Sequence, residues 1–533
     1  MTSPQSRNRS RRATSHIAVR VAHVVLGGLL AVGWLVLPLA RAGTGDAVTV
    51  ARGVQVADEV GARTAEGDPD QDETTATGDL VLPLVAVGAA AVLAAYGYAR
   101  RKRRARTRTT PGGGAPHVAP PVLELDQRTR QLLIDTDDCV RTSVEELGCA
   151  TAQFGSEPVK PYAEALSYAK SELAAAFRLR QRLDEAAPED GRSMLEEIVL
   201  RCTEAGRRLD SEAAGFDLLR ALERSTTAAL EHAETRFREL AARTPAAQTT
   251  LGDLHQRYAP SASLPVAGHV EQAKDRLVFA TVHLNQARQS LDRGDGGKAA
   301  AYLRAAEGAV DQAATFVAGV ERLAGELAAA AEQLPGALAA VETDLAGAQA
   351  LLATAGVGTL PGRVAHAESL LADVRRESAA GAYDPLDALR RIAEAGAALA
   401  EARDGDLPEE RARALLDQFV LPVRSAVSAA GDFVTTHRAA VGCGARTRLA
   451  EAERHLAGRS PALADVRRAD VLARQARELA ERDVRAYGSP SAGREGAGVG
   501  GAVLGGILLG GGGGPGSFGG PRTRARRATS SPA

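Results

Sequence analysis

Between residues 270 and 327 the apolar positions recur at a spacing that only a helix can use. Val270, Ala273, Leu277, Ala280, Leu284, Ala287 and Leu291 step alternately by three and four residues. After a turn at 292–298, Tyr302, Ala306, Ala309, Ala313, Phe316, Val320, Leu323 and Leu327 keep the same alternation. Each series lines one face of a helix, and two such stripes joined by a tight turn fold back on each other. The alanines allow close approach of the two axes. The expected class is therefore all-α: long antiparallel coiled-coil-like helical hairpins, with one transmembrane helix and disordered tails. Aromatic residues make up only 3% of the chain, too few for a large sandwich or barrel core.

The same periodicity organises the flanking sequence. Residues 122–260 carry helical segments at 125–148, 162–186, 192–222 and 225–243, punctuated by Pro158, Pro161, Pro188 and Pro245. They are expected to form a first helical bundle, followed by hairpin regions at 261–358 and 359–487. Gly294, Gly381 and Gly458 each precede by about ten residues an Arg-x-Ala-acid motif, ending at Glu307, Glu394 and Asp470. Divergent hairpins in series would give this pattern.

The N-terminal end has a different character. Residues 1–42 read as a signal peptide or signal anchor: arginines, an apolar stretch at 21–39, then Ala40-Arg41-Ala42, with cleavage expected after Ala42. Residues 43–79 hold nine acidic residues against Arg52 and Arg63 and form a short extracytoplasmic segment unable to bury a core. Residues 80–98 are uncharged and apolar, end in Tyr96 and Tyr98, and run into Arg100-Arg101-Lys102-Arg103-Arg104. This is the pattern of a transmembrane helix whose positive flank faces the cytoplasm. A basic and Pro/Gly linker at 99–121 leads to the helical region, which is expected to be cytoplasmic. Residues 488–533 are a Gly-rich tail, expected to be disordered, closed by Arg522, Arg524, Arg526 and Arg527. Those arginines would also suit an anionic inner leaflet.

No residue pattern names a catalytic, cofactor or metal site. Cys139, Cys149, Cys202 and Cys443 are scattered and are expected to be buried thiols. His232, His283, His366 and His437 lack metal-ligand spacing and are expected at solvent or rim positions. Gly294-Asp295-Gly296-Gly297-Lys298-Ala299 lacks the first glycine and the hydroxyl of a phosphate loop and is expected to be a hairpin turn. Charge is balanced, 65 basic against 66 acidic residues, and the basic clusters have no interleaved aromatics, which argues against nucleic acid. Arg outnumbers Lys by roughly twelve to one, which codon composition explains without Arg-specific chemistry.

Three segments carry a family resemblance: Ala150-Thr151-Ala152-Gln153-Phe154-Gly155, the run from Glu271 to Thr281 (EQAKDRLVFAT), and the run from Gly500 to Gly510 (GGAVLGGILLG). With the layout above, the chain resembles actinobacterial TPM-domain membrane proteins. Residues 47–58 look like the opening of a TPM domain, but the remainder of an ordinary-sized domain is absent before the apolar stretch at 80–98. Phosphatase-like or quality-control activity, which the resemblance implies for that domain, therefore brings no site residue here. What remains is a non-enzymatic, membrane-anchored scaffold or adaptor without cofactor. Its heptad seams are expected to bind cytoplasmic proteins or a second copy of the chain.

Overall fold

The stripes at 270–327 bury as one seam. Ala273, Ala280, Ala287, Ala306, Ala309, Ala313 and Val320 are fully buried, whereas Leu291 and Tyr302, nearest the turn, are only half-buried. In this computed structural model, residues 121–186, 190–354, 359–404, 409–458, 461–487 and 517–530 are described. The segments expected at 1–42, 43–79 and 80–98, and nearly all of the linker 99–121, lie outside the described residues. Among the described residues every regular element is a helix, and none is long and apolar enough to cross a membrane.

The elements are α1 (Val122–Phe154), α2 (Ser156–Glu185), α3 (Gly191–Arg220), α4 (Leu222–Arg257), α5 (His269–Asp292) and α6 (Gly296–Thr354). They continue with α7 (Leu360–Ala380), α8 (Pro385–Asp404), α9 (Glu409–Thr436), α10 (Cys443–Leu456), α11 (Leu463–Tyr487) and α12 (Pro521–Ser530). Helix α6 has 59 residues and so runs about 90 Å. Its N-terminal half packs with α4 and α5, its C-terminal half with α7 and α8. A separate core joins α1, α2 and α3, and another joins α8 to α11.

The turn between α5 and α6 closes as expected. Gly294 takes φ +76°, its N–H reaches the Leu291 carbonyl, and the Asp295 carboxylate caps α6 by accepting the Lys298 N–H at 3.1 Å. Gly381 and Gly458 also stand at helix junctions, and the helices that follow bury Ala393 and Ala469 as α6 buries Ala306.

Two expectations fail for tertiary reasons. The α5–α6 seam is not a two-helix coiled coil: Leu240, Leu251 and Leu254 of α4 enter the same core as Val270, Phe316 and Val320. Within the 122–260 region the core contacts divide at Ala221, the left-handed residue between α3 and α4: α1, α2 and α3 share one core, and α4 joins α5 and α6. Pro245 does not end a helix either. Helix α4 runs through it, with Leu240, Ala247 and Leu251 buried on both sides. That burial outweighs the roughly 3 kcal/mol an interior proline costs, and the Thr244 hydroxyl donates to the buried Leu240 carbonyl at 2.9 Å.

The four cysteines are free and buried, as expected. Burial pushes the Cys139 and Cys202 thiols up to about 12, so neither is a nucleophile at neutral pH. His366 is exposed, but His437 is buried rather than at the rim. It stacks on Phe433 at 4.3 Å, with Nδ1 3.1 Å from the Phe433 carbonyl, and burial lowers its pKa to about 4.

Candidate functional site

The tail expected to be disordered contains a docked segment. Residues 517–530 end in α12, which lies against α3 and α1. Phe518 is fully buried in the core of the first bundle. Its ring stacks on Phe216 at 4.5 Å and meets Tyr162 edge-on at 5.9 Å; Tyr162 and Phe216 are themselves edge to face at 5.2 Å.

The two glycines that follow are set by close approach. Gly519 has φ +136° and donates its N–H to Ser143 Oγ at 3.3 Å. A Cβ on Gly520 would stand 2.2 Å from the Gly206 carbonyl oxygen, and a Cβ on Gly206 would stand 2.8 Å from Pro521 Cδ. Backbone meets backbone here because neither residue has a side chain.

Asp210 of α3 then caps α12 from outside it. Its carboxylate accepts the N–H groups of Gly520 (2.9 Å), Arg522 (3.3 Å) and Thr523 (3.0 Å) and the Thr523 hydroxyl (2.7 Å). These are among the donors a helix N-terminus leaves unpaired, and the carboxylate also meets the positive end of the helix dipole. Pro521 at the first helical position has no N–H to satisfy. Downstream, Arg524 donates to the Asp138 carbonyl at 2.5 Å and to Thr142 Oγ1 at 2.7 Å, and Arg527 pairs with Asp217. Two of the four arginines whose charge suits a lipid leaflet are thus held by the bundle.

Asp217 leads into a buried ionic cluster. Arg304 of α6 lies 3.6 Å from Asp217 and 3.9 Å from Glu146 of α1. Arg220, 1% exposed, pairs with Glu307 at 2.6 Å, donates to Gln153 Oε1 at 2.9 Å, and lies 3.8 Å from Glu146. Glu146 Oε2 has no hydrogen-bond partner among the described residues. Burial pushes the Glu146 carboxyl up to about 7; Arg304 and Arg220 pull the other way without cancelling it.

A raised carboxyl pKa contributes stability that is complete below the ordinary value, 4.5, and is lost as pH rises through about 7. The urea midpoint of the full chain is therefore expected to fall between pH 5 and pH 8. Glu146→Gln should flatten that slope and be relatively more stable at the alkaline end. An unchanged slope in the variant would show that Glu146 is not the group being titrated.

Apart from the terminal arginines, none of these residues stands out in the sequence as a site. The aromatic Phe518, the Gly-Gly-Pro that follows and the Arg-Thr-Arg beyond were legible as residues, but nothing local announced their receptor. Among the described residues no cluster of His, Cys, Asp and Glu is arranged to hold a metal ion.

The chain is homologous to UPF0603 proteins of Mycobacterium tuberculosis. It is 31% identical over 393 residues to those of strain H37Rv and strain CDC 1551 / Oshkosh, an alignment that covers 69% of this chain. It spans 59% of the length of these relatives. No family model matches the chain. No solved structure matches it either.

Proposed function

We propose that the chain is a non-enzymatic, membrane-anchored scaffold or adaptor whose cytoplasmic helical array captures short linear segments, with its own tail as the resident occupant of the first bundle. The observation that carries this reading is the groove between α1 and α3. It holds one aromatic ring, two glycines, a helix N-terminus and two arginines, each at its own fitted position. Recognition of that kind is what a peptide-binding surface does. The apolar stretch at 80–98 and its arginine-rich exit support anchoring with the array on the cytoplasmic side.

A tethered tail competes for its own groove at an effective concentration on the order of millimolar. A labelled peptide of residues 517–530 should therefore bind the wild-type chain weakly. It should bind Phe518→Asp, whose own tail is expelled, at least tenfold more tightly by fluorescence anisotropy in detergent solution. Adding Asp210→Ala to Phe518→Asp should remove that gain. Equal, negligible binding to wild type and Phe518→Asp would refute peptide capture.

A further inference from the structure

A second cavity, distinct from the tail groove, opens where α2 and α3 face α10 and α11. It encloses about 460 Å³, within the size range of small-ligand sites. Its lining is rich in arginine. Five arginines line it, Arg178, Arg182, Arg201, Arg454 and Arg468, against three glutamates.

Each of those glutamates already has an arginine of the same lining. Glu197 pairs with Arg201 at 2.7 Å, Glu451 with Arg454 at 2.9 Å, and Glu185 with Arg468 across the opening. His455 Nδ1 lies 2.8 Å from Asp465 and its Nε2 lies 2.9 Å from Arg454, so both ring nitrogens have partners. Glu172, just outside the lining, also holds Arg201 at 3.0 Å, so three of the five arginines are matched by carboxylates and two are not.

The two unmatched arginines are Arg178 and Arg182, exposed and one turn apart on α2, whose side chains make no ion pair or hydrogen bond among the described residues. Like charges four residues apart on a helix repel. Guanidinium pairs match phosphate oxygens in a planar, two-point geometry that a lone lysine cannot offer. The paired arginines fix the walls, and Leu179 and Leu472 supply an apolar floor.

We infer that this cavity binds a small soluble phosphate-bearing dianion, held by Arg178 and Arg182 with Arg454 and Arg468 on the facing wall. Occupancy bridges the first bundle to the α10–α11 pair. The site is independent of the tail groove, and so is its test.

Isothermal titration of the full chain in detergent with inorganic pyrophosphate should give saturable, single-site binding. Arg178→Gln and Arg182→Gln should each weaken it about tenfold, and the double variant should abolish it. Both positions are exposed, so the fold is expected to survive, with an unchanged helical circular dichroism spectrum as the check. Asp210→Ala should leave pyrophosphate binding intact. No binding by the wild type, or binding that persists in the double variant, would overturn the assignment. So would uptake of a short-chain phosphatidylglycerol, lost in the double variant, without uptake of pyrophosphate, since the anion would then be a lipid headgroup.

Discussion

Arg446→Ala is expected to destabilise the helical body by about 3–5 kcal/mol, the cost of removing one member of a buried ionic network together with its carbonyl contacts. The Arg446 side chain is fully buried on α10, and Nη1 lies 2.6 Å from Asp137 and 2.7 Å from Asp138, both on α1. Its Nε donates to the Val441 carbonyl at 3.1 Å and its Nη2 to the Arg438 carbonyl. Alanine would leave the Val441 and Arg438 carbonyls without this donor and Asp137 with Arg141 as its remaining cation, and it would cut the bond between chain segments some 300 residues apart. Asp137 is held below its ordinary pKa: burial would raise it, but the charges of Arg141 and Arg446 together outweigh that. A lowered carboxyl pKa contributes stability that is present above its unfolded value, 3.8, and is lost as pH falls through the folded one. The loss in Arg446→Ala should accordingly be largest at neutral pH. Urea denaturation followed by circular dichroism reads it, and Arg446→Ala combined with Asp137→Ala should cost less than the two single losses summed. A loss below about 1 kcal/mol, the level of an exposed pair, would mean that this contact does not hold the two segments together.

Arg446 also marks where the sequence stops being readable. An excess of arginine over lysine has a compositional explanation, and most of the exposed pairs, such as Arg482 with Glu478, need nothing more. Arg446 and Arg220 are different: each serves several acceptors inside the protein, which a planar fork of donors does and an ammonium does not. Nothing in the neighbouring residues separates these two arginines from the exposed ones, because their carboxylate partners are contributed by helices distant in sequence.

The heptad seam shows the opposite case. Ala273, Ala280 and Ala287 could be placed on one buried face from spacing alone, since helical periodicity is a local property. What spacing could not supply was the third helix. Helix α4 closes over α5 and α6, and whether a seam is closed by two helices or three depends on a neighbour that the seam's own residues do not name. Pro245 misleads for a related reason: its local penalty is real, but burial along both halves of α4 is larger.

The docked tail is the furthest from local legibility, because α12 has only ten residues and stands on contacts made elsewhere. Isolated helices shorter than about 12–15 residues are marginal in water, so α12 should persist only while it is held. Burial of Phe518 contributes about 1.5–3 kcal/mol, and an N-cap contact of the kind Asp210 makes contributes about 1 kcal/mol, before the cost of ordering the segment is subtracted. Gly520→Ala removes neither group, yet it sets a methyl 2.2 Å from the Gly206 carbonyl oxygen and 2.9 Å from Asp210 Cγ. Both obstacles are fixed: the first is backbone and the second belongs to the capping carboxylate. The segment must therefore back out as a unit. In amide hydrogen exchange on the full chain, residues 521–530 should be protected at least tenfold in the wild type and exchange as an unstructured peptide in Gly520→Ala. Asp210→Ala should fall between them, while exchange in α5 and α6 stays the same in all three. Protection of 521–530 that survives Gly520→Ala would show that the helix does not depend on the groove, and the reading of the tail as its occupant would fall with it.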